Sequence, residues 1–240
     1  MKKILIISAM ADVELNYLMQ KLENKKAEEH KLCKFYVGNI GENEIILCDS
    51  KIGLINTSAA LTIAIEKYNP DYIINQGCAG GIGKNIHKSD LVIGIECINI
   101  TSIKTKYRKA GEGSNVDDWE LINFIAGEED RLIPQKASKE LIDLAKSIEK
   151  EYNYGKVHYG VIGSGDIWNS EYDRLVFLNE KYNILCEEME GIAVYTIANQ
   201  YNIPAIDIRV ISDNLILEEE YERGISYKVQ EFTERLILKI

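Results

Sequence analysis

The sequence predicts an α/β protein built on a mostly parallel sheet covered by helices. Strand-like apolar runs and segments of helical periodicity alternate along most of the chain. The chain has 240 residues, 46% of them hydrophobic, enough to bury about 70% of the unfolded surface in one core without disulfides or metal. A single domain spanning residues 1–240 is expected.

Ile4 to Ser8 reads as a buried strand, followed by an amphipathic helix over Asp12 to Leu22 with Val13, Leu15, Leu18 and Leu22 on one face. Lys34 to Val37 and Glu44 to Cys48 read as strands joined by the turn Gly38-Asn39-Ile40-Gly41-Glu42. Thr57 to Lys67 is helical and ends before Pro70, and Tyr72 to Asn75 is a short strand. Asp90 to Ile100 is a Val/Ile-rich strand, Ser138 to Glu149 a helix, Val157 to Ile162 a strand and Met189 to Gln200 a helix. Ala205 to Ile211 is a strand, and Tyr227 to Leu238 a closing helix. Thr101 to Lys136 is Gly/Lys/Asp-rich with few periodic apolar positions, the mark of a functional or mobile stretch.

Composition excludes several classes of function. Met1 to Ala11 imitates a secretory leader, but its apolar run is short and Asp12 and Glu14 follow at once. No stretch approaches the ~18 apolar residues a membrane span requires, so a cytoplasmic protein with no membrane partner is expected. The cysteines, Cys33, Cys48, Cys78, Cys97 and Cys186, are scattered and odd in number, as reduced packed thiols are. His30, His87 and His158 make no zinc pattern, so metal-free and cofactor-free chemistry is expected. A formal charge of -10 repels nucleic acid and leaves a small molecule as the expected partner.

Ligands of parallel sheets sit beyond the carboxyl ends of the strands, and five segments lie there. Ser8 to Glu14 places two acids after the first strand, where Asp12 would serve as a helix N-cap unless Glu14 faces a cleft. Asn75 to Gly83 is a Gly-rich loop that exposes backbone N–H groups or is merely a turn. Gly163 to Trp168 is a turn, or a loop laying an aromatic ring over a flat ligand. Glu187-Glu188-Met189-Glu190 is an acidic helix start, or a source of a carboxylate for the vicinal hydroxyls of a ribose. Arg209 to Asn214 is a polar cluster ending an apolar strand, and turn chemistry explains it equally.

Taken in order, Ser8-Ala9-Met10, Ser50-Lys51-Ile52-Gly53, Asn75 to Gly81, Ser164-Gly165-Asp166, Glu188-Met189-Glu190-Gly191 and Arg209 to Asp213 resemble the nucleoside phosphorylase superfamily. The branch they resemble most is the methylthioadenosine/S-adenosylhomocysteine nucleosidases. The resemblance covers most of the chain and fails mainly over Thr101 to Lys136. It implies a three-layer α/β/α fold with a central mixed, partly barrel-like sheet, and a homodimer. Phosphorylases of the superfamily carry arginines for phosphate, one of them in an early loop. Here that loop reads Ser8-Ala9-Met10-Ala11-Asp12 and has none, so water is the expected nucleophile.

By the resemblance, Asp213, helped by Ser212, protonates purine N7 as the glycosidic bond breaks. Glu14 activates water, although the family acid lies three residues after the methionine and this one lies four after Met10; Asp12 is the alternative base. Glu190 would hold the ribose hydroxyls and Met189 would pack under the sugar. Trp168 would lie against the purine, in a loop one residue shorter than the family's. Cys78 stands where serine is frequent, Ile52 borders the 5′ pocket, and Met10, Glu188 and Arg209 complete the binding set, Arg209 as a group that holds a neighbouring carboxylate ionised or supports the fold. Tyr107 to Trp119 is a candidate source of the 5′ pocket, of this subunit or a neighbour. A phosphate-dependent phosphorylase and a silent nucleoside-binding protein are the alternatives.

Overall fold

The computed structural model describes residues 1–122 and 132–240. The apolar run at the start forms β1 (Lys3–Ser8), whose side chains alternate between two cores. Ile4 and Ile6 pack with Leu15, Leu18, Leu141, Phe232 and Leu236 on one face, while Leu5 and Ile7 pack with Leu61, Ile65, Val194 and Tyr195 on the other. A strand buried on both faces reads as a continuous apolar run, because each alternate residue meets a helical layer.

The remaining strands are β2 (Glu23–Glu29), β3 (Lys34–Ile40), β4 (Asn43–Asp49), β5 (Tyr72–Gly81), β6 (Leu91–Asn99), β7 (Ile103–Lys104), β8 (Glu120–Leu121), β9 (Gln135–Lys136), β10 (Val157–Ser164), β11 (Ile184–Glu188) and β12 (Ala205–Asp213). The helices are α1 (Asn16–Lys21), α2 (Leu54–Tyr68), α3 (Lys139–Ile148), α4 (Tyr172–Tyr182), α5 (Gly191–Tyr201) and α6 (Tyr227–Ile237). Helices α1, α3 and α6 line the first core and α2 and α5 the second; the sheet between them makes three layers.

The main sheet runs β11-β10-β6-β12-β5-β1-β4-β3-β2, and β11 also pairs with β5. That extra antiparallel pairing, Cys186 with Gly81 and Glu187 with Gly80, closes β5, β12, β6, β10 and β11 into a mixed barrel. The fold is the α/β/α arrangement with a partly barrel-like sheet. Strand β5 belongs to both parts: Tyr72 to Asn75 pair with β1, while Gly80 and Gly81 pair with β11.

Several boundaries differ from the sequence expectation. Gln76 to Gly81 is strand rather than loop, since those glycines permit the bend that carries β5 into the barrel. Gly38 to Ile40 belong to β3, and the turn is only Gly41-Glu42. Helix α5 begins at Gly191, leaving Met189 and Glu190 free to face the interior of the cleft. Strand β2, with its exposed charged sequence, and helix α4 escaped the periodicity reading. Part of Thr101 to Lys136 forms β7, β8 and β9, and residues 123–131 lie outside the described part. Among the described residues no helix is long and apolar enough to cross a membrane.

Candidate active site

The carboxyl ends of β1, β5, β11 and β12 open into one cleft of about 710 Å³, mouth included. Its wall includes Met10, Glu14, Ile52, Cys78, Trp168, Glu188, Met189, Glu190, Ser212 and Asp213. Ten of the eleven residues singled out from the sequence therefore share one cavity. Arg209 is the exception: it is 1% exposed and stands behind the wall.

Glu14 reaches the cleft through an unusual turn. Ala11–Leu15 winds as a π-helix before α1 begins, so the turn holds one residue more than an α-helical turn. The extra residue between Met10 and Glu14 is absorbed there, and the Glu14 side chain stays buried at 3% exposure. Its Oε2 accepts from the N–H groups of Ala9 (3.1 Å) and Met10 (3.2 Å), and its Oε1 from that of Cys78 (2.9 Å). A carboxylate has about four lone-pair sites, so one on Oε1 is left for a ligand or water. Burial raises its pKa, while Arg209 and the three N–H groups hold it down. Asp12, by contrast, faces solvent against Arg223 at 3.6 Å. It is no helix N-cap, because that place falls to Met10, and it does not line the cleft.

Asp213 and Ser212 lie at the end of β12, where the register against β5 shifts between Ile211 and Asp213. Such a bulge presents two successive residues against one partner. Ser212 Oγ lies 2.6 Å from Asp213 Oδ1 and 3.2 Å from the Ala79 carbonyl. It donates to Asp213 when that carboxylate is ionised, and passes its proton to Ala79 when Asp213 is protonated and donates to it. Burial raises the Asp213 pKa against the Ser212 hydrogen bond and the charge of Lys88.

Arg209 binds Glu188 Oε2 (2.6 Å) through Nη2, Asp207 Oδ1 (2.8 Å) through Nε and Glu190 Oε2 (3.5 Å) through Nη1. Glu188 also accepts from the Glu190 and Gly191 N–H groups, so its carboxylate anchors the start of α5. Glu190 accepts from Gly53 N–H at 3.0 Å, a contact that requires the left-handed φ of +99° at Gly53. Burial pushes Glu190 up to about 8 and Asp207 up to about 7, both against the opposing charge of Arg209. At Gly77 a Cβ would lie 2.5 Å from Glu14 Oε1 and 2.6 Å from Arg209 Nη1, so only glycine lets these groups meet.

Two motif residues serve the scaffold. Ser164 Oγ accepts from Ile192 N–H (3.0 Å) at the start of α5, and Asp166 Oδ1 from Leu54 N–H (2.8 Å) at the start of α2. Trp168 is 73% exposed and stands edge-on to Tyr221 at 5.9 Å, so it rims the mouth rather than lying deep in the cleft. Burial pushes the Cys78 thiol well above its ordinary range, leaving it a neutral wall group. Tyr107 to Trp119 contributes nothing to this chain's own cleft.

The sequence reading assigned no role to Asp207, Asn169 or Tyr221, and named Glu187 only as part of its acidic segment. Asp207 was detectable: with Arg209 it forms an i, i+2 charge pair on one face of an apolar strand. Nothing local marks Tyr221 or Asn169, since the chain reaches the cleft there through irregular segments.

A family model of the phosphorylase superfamily matches residues 3–239. This chain belongs to that superfamily. Within it, a Bacillus cytotoxicus protein named 5′-methylthioadenosine/S-adenosylhomocysteine nucleosidase is 33% identical over 213 residues, covering 88% of this chain and 85% of its own. The solved structure of the nucleosidase of that name from Campylobacter jejuni matches with a TM-score of 0.84 at 24% identity over 100% of both chains. That from Neisseria meningitidis, in complex with methylthio-immucillin-A, gives 0.81 at 23% over 100% of both. These structural likenesses show a common fold.

The raised carboxyl groups make stability depend on pH. Glu190 moves from 4.5 to about 8 and Asp207 from 3.8 to about 7, so across those windows the folded chain holds protons the unfolded chain has lost. Their stabilising contribution is complete at low pH and is lost as pH rises through the folded values. The melting temperature of the ligand-free protein should fall from about pH 5 to about pH 8, and Glu190→Gln should make that fall shallower. A melting temperature that rises across the window would contradict the assignment.

Proposed function

We propose that this chain hydrolyses the N-glycosidic bond of a 5′-substituted adenine nucleoside of the methylthioadenosine or S-adenosylhomocysteine type, releasing adenine and a ribose derivative. The observation that carries this reading is the cleft itself: Asp213 and Glu14 open into one cavity whose described wall holds five carboxylates and no cation. The nearby Arg209 is already held by Asp207, Glu188 and Glu190, so that guanidinium is not spare for phosphate. Such a wall repels phosphate and admits water.

Asp213 gives its proton to purine N7 as the C1′–N9 bond breaks, and the bonding pair stays with the base, which leaves as neutral adenine. Glu14, through the open site on Oε1, accepts a proton from the water whose oxygen forms the new bond to C1′. Glu190 accepts from the ribose hydroxyls, and Met189 packs beside the sugar. Burial raises the proton affinity of both acids above that of an exposed carboxyl.

A second copy of the chain completes the site in this reading. Ile55 (80% exposed), Leu32 (51%) and Ile52 (48%) expose an apolar face along α2, and Ile52 itself borders the cleft. The 5′ pocket, to which Tyr107 to Trp119 of the same chain adds nothing, is supplied across that contact. The protein is cytoplasmic, in keeping with its five free thiols.

Adenine release from methylthioadenosine should proceed in phosphate-free buffer; a strict phosphate requirement would make the chain a phosphorylase, and tight binding without release a silent binder. Asp213→Asn and Glu14→Gln should each lower the rate by about 10²- to 10⁴-fold. Asp12→Asn should leave it within about twofold, since its exposed ion pair contributes little. Equal losses at Asp12 and Glu14 would overturn the choice of base. Sedimentation velocity should find a dimer, and a monomer active on the same substrates would remove the shared pocket.

A further inference from the structure

The mechanism leaves one cleft acid without a task. Glu187, on β11, faces the cavity, and Asn169 Nδ2 donates to its Oε2 at 3.4 Å. In the register of the barrel, Glu187 and Asp213 are both partners of Gly80. A Cβ at Gly80 would lie 3.6 Å from Asp213 Oδ2 and 4.0 Å from Glu187 Cγ, so the two side chains converge over a residue that has none. Glu14 sits farther back along β5, against Gly77 and Cys78, roughly 7–10 Å away at the rise of a strand. The strand thus orders the cleft from a sugar end to a base end, and Glu187 is at the base end.

We propose that Glu187, held by Asn169, hydrogen-bonds the N1 and position-6 edge of the purine and lets this cleft take a 6-oxopurine as well as a 6-aminopurine. The inference rests on the assignment of Asp213 to N7. With N7 on Asp213 and N9 bound to the sugar, the polar edge on the N7 side is position 6 with its neighbour N1, while N3 lies on the sugar side. A protonated Glu187 donates to N1 of a 6-aminopurine while its carbonyl oxygen accepts from the exocyclic amine. Ionised, it accepts from N1–H of a 6-oxopurine, and the second hydrogen of Asn169 Nδ2 is free for the oxygen at position 6.

Both states are within reach near neutral pH. Burial, chiefly, pushes Glu187 up to about 7, and the like charge of Asp213 on β12 adds to this. The Asn169 hydrogen bonds and the cation of Arg174 on α4 oppose it. Its strand neighbours, Gly163 on β10 and Gly80 on β5, bring no charge.

The test is calorimetric binding of free adenine and free hypoxanthine to the full-length protein, Glu187→Gln and Glu187→Leu, at about pH 6 and about pH 8. For the unaltered protein, the preference for hypoxanthine over adenine should rise about tenfold between the two pH values. In Glu187→Gln, whose amide offers one donor and one acceptor to either edge, both bases should bind and their ratio should not change with pH. Glu187→Leu should weaken both by about tenfold. Variants that keep the unaltered ratio at both pH values would overturn the proposal, and Glu187→Gln decides the matter if Glu187→Leu does not fold. Adenine release from methylthioadenosine, measured on the same samples, separates the two readings. Release together with base binding indifferent to Glu187 removes this proposal alone; Glu187-dependent binding without release removes the hydrolase reading alone.

Discussion

One guanidinium organises this site. Arg209 lies at 1% exposure among Asp207, Glu188 and Glu190, with Glu14 against the same glycine. Burying a cation without partners is prohibitive, and burying several anions around one cation is nearly as costly, so the cluster persists only through hydrogen bonds and retained protons. Glu188 saturates its oxygens on Arg209 and the first N–H groups of α5. Glu14 accepts from the N–H groups of Ala9, Met10 and Cys78 and keeps one site on Oε1 open. Burial raises the proton affinity of Glu14, Glu190 and Asp207 against the charge of Arg209, and Glu188 adds to this at Glu190 and Asp207.

That arrangement connects stability with chemistry. A carboxyl group whose charge is discouraged by burial can exchange protons near neutral pH, which a solvent-exposed one at its ordinary value does poorly. The same crowding occupies Arg209, whose Nε, Nη2 and Nη1 meet Asp207, Glu188 and Glu190. The barrel closure between β5 and β11 matters for this reason. It brings Glu187 and Glu188 against the strand that already faces Asp213 on its other edge, so acids from β11 and β12 meet in one cleft with Glu14 and Glu190.

Much of the site was legible because its residues fall just after apolar strands, where a parallel arrangement exposes them. The segments holding Asp213, Ser212, Glu190 and Met189 were marked this way, the resemblance picked out these residues within them, and the structure gathers them. The spacing between Met10 and Glu14 was ambiguous in one dimension, since a surplus residue can rotate a helical face or be absorbed by a wider turn. The π-turn absorbs it and leaves Asp12 in solvent. Arg209 was read as holding a neighbouring carboxylate ionised or supporting the fold, and the packed structure shows which carboxylates its fork meets: Asp207, Glu188 and Glu190.

Hydrophobic patterning alone determined the α/β class, the β1 strand and the two apolar faces that sandwich it, because burial imposes periods of two and of about 3.6 that any sequence must display. Tertiary structure decided the closure of the barrel, the continuation of β5 through its glycines, the exposure of Trp168 and the meeting of Glu187 with Asn169. These depend on pairings between residues distant in the chain, and local propensity carries no record of which distant strand a backbone will meet.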